Sequence, residues 1–444
     1  MTCVAVAAGA APTRYVKNSS NRRYLIGMDG LPFLMAGDSP QSLMVNLSTS
    51  DADMYFANRQ SHGFNTVWIN LLCTTYTGGN ADGSTFDGIL PFTSYLPGTS
   101  SDLTHFDLTK PNEAYFARCD QMVNLANQYG LVVILDPIET GGWTTTILNN
   151  GAKNCRAYGK YLGKRYKNFP NIIWMSGNDD SFWRNVTQDV AVAAVAQGIK
   201  QGDKHHIHTI ELQSPGGSMD NPRWVGLIKL SASYTYFATY AQVLRDYQRK
   251  KFQPVFLVEA NYDFENLLGG PVTTPAVLRQ QEYWANLSGA TGQLYGNHAT
   301  WTFESGWQSL LNTPGAIEMA YVGQLFEPRA WYNLIPDTNH VVVTAGYGTF
   351  SSTDVVAAND YLTAARTPDG TLVMAFTPVV RQFTVDMTKL SGPATARWYD
   401  PSNGTYTTIG GSPLSNTGTQ DFMPPGSNND GDGGWVLVLE TRPP

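Results

Sequence analysis

PVFLVEA (254–260) and IIWMSGNDD (172–180) decide the fold. Each is a short run of β-branched and aromatic residues that ends on a carboxylate, Glu259 in the first and Asp179 in the second. Such a run reads as a strand buried on both faces. Six more segments are candidate strands, several of them continuous apolar runs: FLMAGD (33–38), TVWINLL (66–72), LVVILD (131–136), HIHTIEL (206–212), GLIKLSAS (226–233) and GATGQLYGN (289–297). Helical patterns lie between them. The one at 49–63 opens on Thr49 or Ser50 as N-cap and stops near Gly63; others close on Gly130, at Pro170 and near Gly289. Strand and helix in alternation predict a parallel sheet with right-handed crossovers. Eight units before residue 300 suit a closed (β/α)8 TIM barrel. No G-x-G-x-x-G or Walker pattern follows a strand, which speaks against a nucleotide-binding sheet.

The last helix is expected at 314–332. After Pro336 the pattern changes to period two: HVVVTAG (340–346), TLVMAFTP (371–378), RQFTVDM (381–387), TARWYDPSNGTYTTI (395–409) and GGWVLVLE (433–440). Asp369-Gly370 and Asn403-Gly404 mark hairpin turns. The chain therefore divides into an N-terminal extension at 1–22, a catalytic barrel at 23–337 and an antiparallel β-sandwich at 338–444. No Ser/Pro-rich linker separates the last two, so the sandwich should pack rigidly on the barrel.

Composition narrows the function. Of the 444 residues 42% are hydrophobic and 15% charged, which excludes a disordered chain. A net charge of −7 without a basic run argues against nucleic acid. No stretch of about 18 apolar residues is present, so no membrane span is expected. Cys3, Cys73, Cys119 and Cys155 lack C-x-x-C spacing, which leaves one or two disulfides open. The small apolar N-terminus (1–12), the low lysine content and the many Asn, Ser, Thr and Gly residues point to a secreted or periplasmic protein. A monomer is favoured.

Two carboxylates at the C-terminal ends of different barrel strands are what glycoside hydrolysis needs: one protonates the leaving oxygen, the other attacks or activates water. Asp179 and Glu259 are the candidates, and Glu211 ranks third. Asp38 and Asp136 also end strands, and either binds a substrate hydroxyl or serves as a cap or salt bridge. His298 contacts sugar, orients Glu259 or packs at the rim. Trp143, Trp68 and Trp301 are sugar platforms or core. His205, His206 and His208 sit at the non-catalytic face with no acidic partner nearby in sequence, and NNDGDGG (428–434) has Leu439 where a calcium loop needs glutamate. No metal site and no cofactor is expected.

RYLIGMDGLPFLMAGDS (23–39), GFNTVWIN (63–70), NIIWMSGND (171–179), YGNHATWTF (295–303) and PGAIEMAYVGQLFEPRAWYNLIPD (314–337) resemble the apiosidase-like family, glycoside hydrolase family 140 and relatives. The resemblance runs from Arg23 to Glu440. It implies a TIM-barrel catalytic domain, a C-terminal β-domain with a collagen-binding label, and a catalytic Asp and Glu at Asp179 and Glu259. It further implies that Tyr262 falls in the motif after the seventh strand; Asn178, just before the acid, is expected to hydrogen-bond a sugar hydroxyl, as an asparagine there does in many related barrel glycosidases. Asn178 stands where the family has glycine, Asp180 where it has arginine and Ala260 where it has proline. These departures lie beside the chemistry and bear on the choice of sugar. The implied activity is a retaining glycosidase on a plant-type glycan or glycoside, releasing a terminal apiose or other pentose, or a disaccharide. The alternatives are a glycosidase of different sugar specificity and a non-catalytic carbohydrate- or matrix-binding protein.

Overall fold

The computed structural model describes residues 15–181, 184–266 and 272–441. The apolar N-terminal stretch and Cys3 lie outside the described residues. Eight strands line the barrel: β1 (Met35–Asp38), β2 (Thr66–Asn70), β3 (Val132–Asp136), β4 (Ile172–Met175), β5 (His208–Thr209), β6 (Ser231–Tyr234), β7 (Val255–Glu259) and β8 (Ala290–Tyr295). Their order is β5-β4-β3-β2-β1-β8-β7-β6, with every neighbouring pair parallel. Between β5 and β6 the ladder is replaced by cross-links. Lys229 N–H donates to His208 O at 2.8 Å, and Ser218 Oγ donates to Ile210 O while accepting from Ala232 N–H. β5 is therefore shorter than its apolar run, and residues 226–230 form turns rather than the start of β6.

Alternation along the strands sorts side chains to two cores. Trp68, Ile134, Ile173, Met175, Phe256 and Val258 fill the barrel interior. Their sequence neighbours Val67, Ile69, Val133, Leu135 and Trp174 face the surrounding helices. A small three-stranded sheet (Lys17–Asn18, Leu25–Ile26, Pro32–Phe33) brings Val16, Leu25 and Phe33 onto the interior cluster.

Seven helices matter here: α1 (Thr49–Ser61), α2 (Glu113–Gln128), α3 (Thr140–Tyr166), α4 (Val186–Gly202), α5 (Thr239–Tyr247), α6 (Pro275–Leu287) and α7 (Pro314–Phe326). Ser48, one residue before the expected cap, accepts the Asp51 N–H at 3.1 Å and starts α1. The helical pattern that closes at Pro170 begins at Cys155, whereas α3 starts fifteen residues earlier at Thr140, and it breaks at Gly151, whose φ of 63° and ψ of 173° are non-helical. α7 stops at Phe326, short of 332.

The C-terminal part is a sandwich. One sheet has six strands in the order Ile335–Pro336, Thr363–Arg366, Leu372–Thr377, Trp435–Glu440, Thr395–Asp400, Thr405–Thr408. The other has three: Val343–Ala345, Phe383–Asp386 and Thr419–Phe422. Val373, Ala375, Leu437 and Leu439 face the small sheet. On the opposite face Met374, Phe376, Val436 and Val438 pack against Tyr283, Trp284, Val322 and Phe326 of α6 and α7. The large sheet is thus apolar on both sides, which is why its central strands read as unbroken apolar runs. The 428–434 loop is tied down rather than free: Arg279 of α6 binds Asp430 at 2.9 Å and also pairs with Asp432 and Glu318.

Candidate active site

Strand alternation alone would turn Glu259 away from the barrel axis, because Val258 before it points inward. The register between β6 and β7 shifts after Ser233, so that Tyr234 stands opposite Glu259 and not Val258. A bulge of this kind re-aims a side chain. Glu259 consequently lies among phenols. Its Oε1 accepts from Tyr234 at 2.8 Å and from Tyr236 at 2.5 Å, and its Oε2 accepts from Tyr262 at 2.8 Å. Tyr262 in turn accepts from Gln41 Nε2 at 3.1 Å. Burial and the charge of Asp179 push the Glu259 carboxyl up, the three phenol donors pull it down, and the balance stands at about 8.

Asp179 follows β4 in a left-handed turn with φ 46°. Its N–H donates to Glu211 Oε2 at 3.0 Å, and its Oδ2 accepts from Tyr76 Oη at 2.7 Å. Tyr76 is placed by a chain of buried contacts. Glu139 accepts from Thr74 N–H at 3.0 Å, from Thr74 Oγ1 at 2.8 Å and from Thr77 Oγ1, which fixes the short turn that carries Tyr76. A Cβ at Gly141 would lie 2.5 Å from the Tyr76 ring, so the start of α3 must be bare for the ring to rest on it.

The substrate-binding expectations divide. Tyr262 belongs to the site, as a donor to Glu259. Asn178 is buried, and its Oδ1 accepts the first N–H of α3, at Thr140. Asp38 does not face a ligand. It is wholly buried, paired with Arg59 Nε at 2.6 Å and hydrogen-bonded by Tyr55 and by the Ser39 N–H. Asp136 is also wholly buried and takes the N–H groups of Ile138 and Gly177 at 3.1 and 3.2 Å, so it braces the β4 loop from beneath. Trp143 is not a platform: it is fully buried, stacked on Phe106 and edge-on to Phe92, as Trp68 is buried inside the barrel. His298 does not touch Glu259; its Nδ1 faces Glu265 Oε1 at 3.1 Å. Trp301 donates to the same Glu265 oxygen at 2.9 Å and meets Tyr262 edge-on. Tyr76 and Trp301 border one open depression of about 500 Å³.

His206 has an acidic partner after all, Asp203 at 2.5 Å, three residues upstream. Burial pushes its neighbour His208 down to about 3. Cys73, Cys119 and Cys155 are buried free thiols, so they form no disulfide with one another. Tyr76, Tyr234, Tyr236 and Glu139 escaped the sequence reading. Tyr234 and Tyr236 stand at a strand end, the one signal that pointed to them.

Comparisons with known proteins bear on the family and the fold. The family model "Apiosidase-like, catalytic domain" matches residues 19–333, and the model "Putative collagen-binding domain of a collagenase" matches residues 351–440. Among solved structures, one described as a glycoside hydrolase has TM-score 0.80 at 21% identity and covers 97% of each chain. A glycoside hydrolase family 5 protein from Bacteroides vulgatus ATCC 8482 has TM-score 0.79 at 19% identity, over 96% of this chain and 94% of that one. At these identities the likeness is one of fold. Among curated proteins none matches the chain.

Proposed function

From the premise that the chain belongs to the apiosidase-like family and is a glycoside hydrolase with a carbohydrate substrate, we propose that it works by a retaining, two-carboxylate mechanism with Glu259 as nucleophile and Asp179 as acid/base. The observation that carries this reading is the pair of carboxyls after β4 and β7, one held by three phenol donors and the other by one. Three donors stabilise negative charge on Glu259, as a nucleophile needs. Asp179, half-buried at the loop, is the group able to reach a leaving oxygen.

In the first step the Asp179 proton moves to the glycosidic oxygen. The C–O bond to the leaving group breaks while a Glu259 oxygen bonds to the anomeric carbon. In the second step Asp179, now ionised, takes a proton from water. The water oxygen bonds to the anomeric carbon, the ester to Glu259 breaks, and both carboxyls return to their starting state. Burial and the charge of Asp179 raise the Glu259 carboxyl to about 8, and the three phenol donors oppose this and favour the ionised form that attacks.

The family supports a plant-type glycan or glycoside with a terminal apiose or other pentose. Hydrolysis of a panel of nitrophenyl glycosides and plant oligosaccharides tests this. Wild type should cleave at least one member, and Glu259→Gln and Asp179→Asn should each lose about 10²–10⁴-fold in kcat while remaining folded. Near-wild-type turnover in either variant contradicts the assignment.

A further inference from the structure

Beyond β4 and β5 the two chains continue side by side. Glu211 N–H donates to Gly177 O at 3.1 Å, Asp180 N–H donates to Glu211 O at 3.1 Å, and Gln213 N–H donates to Asp180 O at 3.3 Å. Asp179 lies inside this ladder but turns out of it, with φ at 46°. Its N–H therefore has no backbone acceptor across the ladder. A buried orphan N–H of this kind needs a partner, and a side chain supplies it: Glu211 Oε2, at 3.0 Å.

We propose that Glu211 is a positioning residue, which grips the Asp179 peptide in its left-handed turn and so sets where the Asp179 carboxyl stands relative to Glu259. This rests on the roles given to Asp179 and Glu259 above. A left-handed conformation strains a non-glycine residue, so it persists only where the surroundings hold it. The Glu211 carboxyl is wholly buried, and among the described residues its Oε1 has no hydrogen-bond partner. A wholly buried carboxylate with a single donor is strongly disfavoured. The groups whose charge reaches it make this worse: Glu259, Asp179 and Asp136 are all acids, and Tyr76, Tyr234 and Tyr262 are the phenols around them. Burial first, then the charges of Glu259 and Asp179, push Glu211 well above the usual carboxylate range. Glu211 thus works as a neutral acid. Its carbonyl oxygen accepts the Asp179 N–H, and its proton keeps a third negative charge away from Glu259.

A neutral amide of the same shape should replace it. In the full chain, with the nitrophenyl glycoside that wild type cleaves fastest, Glu211→Gln should keep kcat within about threefold and leave the limb of kcat/KM that Glu259 sets unmoved. Glu211→Ala should lose at least about 30-fold in kcat with KM changed by less than about threefold, because a misplaced acid costs turnover and not ground-state binding. Three results overturn the proposal: a Gln variant as slow as Ala, a limb displaced by about one pH unit in the Gln variant, or an Ala variant with wild-type kcat. If the Ala variant does not fold, the Gln variant decides by itself, on rate and on limb position. Activity retained in Asp179→Asn or Glu259→Gln would instead overturn the underlying role assignment, whatever the Glu211 variants do.

Discussion

Glu259 is subject to two opposed effects, burial beside Asp179 and donation from three phenols, and its proton is lost only near pH 8. Two consequences can be measured. Activity should rise as pH rises toward about 8, because Glu259 must lose its proton before it can attack; a rate that does not change between pH 6 and 8 would contradict this. The second consequence is on stability. A carboxyl whose folded pKa is raised contributes stability that is fully present below its unfolded value and is lost as pH rises through the folded one. Glu259→Gln should therefore gain Tm relative to wild type between pH 5 and pH 9, and an unchanged difference would show that Glu259 ionises freely in the fold. At this scale the sequence showed Asp179 and Glu259 as carboxylates at strand ends, and the structure brings the two near enough for the charge of one to act on the other. At Asp38 and Asp136 the same signal left a substrate contact or a cap or salt bridge open, and the structure shows a salt bridge at the first and backbone capping at the second. A strand end can also hold a buried carboxyl whose partner, such as Arg59 on α1, is invisible until the helix packs. Trp143 misled for a similar reason, since an aromatic near the barrel mouth reads alike whether its face is open or covered by Phe106.

The elements that carry Asp179 are held by contacts between backbones. α3 donates its first N–H to Asn178, and α4 begins shortly after the Asp179 loop. The two helices approach so closely that a Cβ at Gly159 of α3 would lie 2.0 Å from the Val195 carbonyl oxygen of α4. Gly159→Ala should force them apart and cost about 1–3 kcal/mol. Thermal unfolding measures it, and an unchanged Tm would mean that the helices are free to shift. All eight strands were legible in the sequence, several as continuous apolar runs, because burial on both faces leaves few polar positions. The register shift that turns Glu259 inward was not, since a bulge depends on which residue the partner strand presents, here Tyr234. Nor was the early start of α3, whose threonine- and glycine-rich first turns lack a strong helical pattern but satisfy Asn178 and leave room for Tyr76.

Over the whole molecule, the barrel and the sandwich share one apolar contact. Tyr283, Trp284 and Phe326 of the barrel helices are covered by Phe376 and Val436 of the large sheet. Trp284 Nε1 donates to Tyr361 O at 2.8 Å, and Gln280 Nε2 donates to Val356 O and Asn359 O. A chain cut at residue 337 would bare these side chains and should be insoluble; a soluble, fully active barrel would show the sandwich to be a separable module. Arg279→Ala should cost about 3–5 kcal/mol, because it leaves the buried Glu318 without its cation. The absence of a linker made close packing legible from sequence. The ion cluster at 428–434 was not, because Arg279 lies far from it along the chain.

These scales meet in one claim, that Glu259 attacks the anomeric carbon while Asp179 serves first as acid and then as base. The first-formed anomer reports on it directly, because two displacements restore configuration and one reverses it. Proton NMR of the freshly hydrolysed glycoside, recorded before mutarotation, should show product of the same anomeric configuration as the substrate. Product of the opposite configuration at the earliest times would remove Glu259 as nucleophile and leave it a general base that activates water.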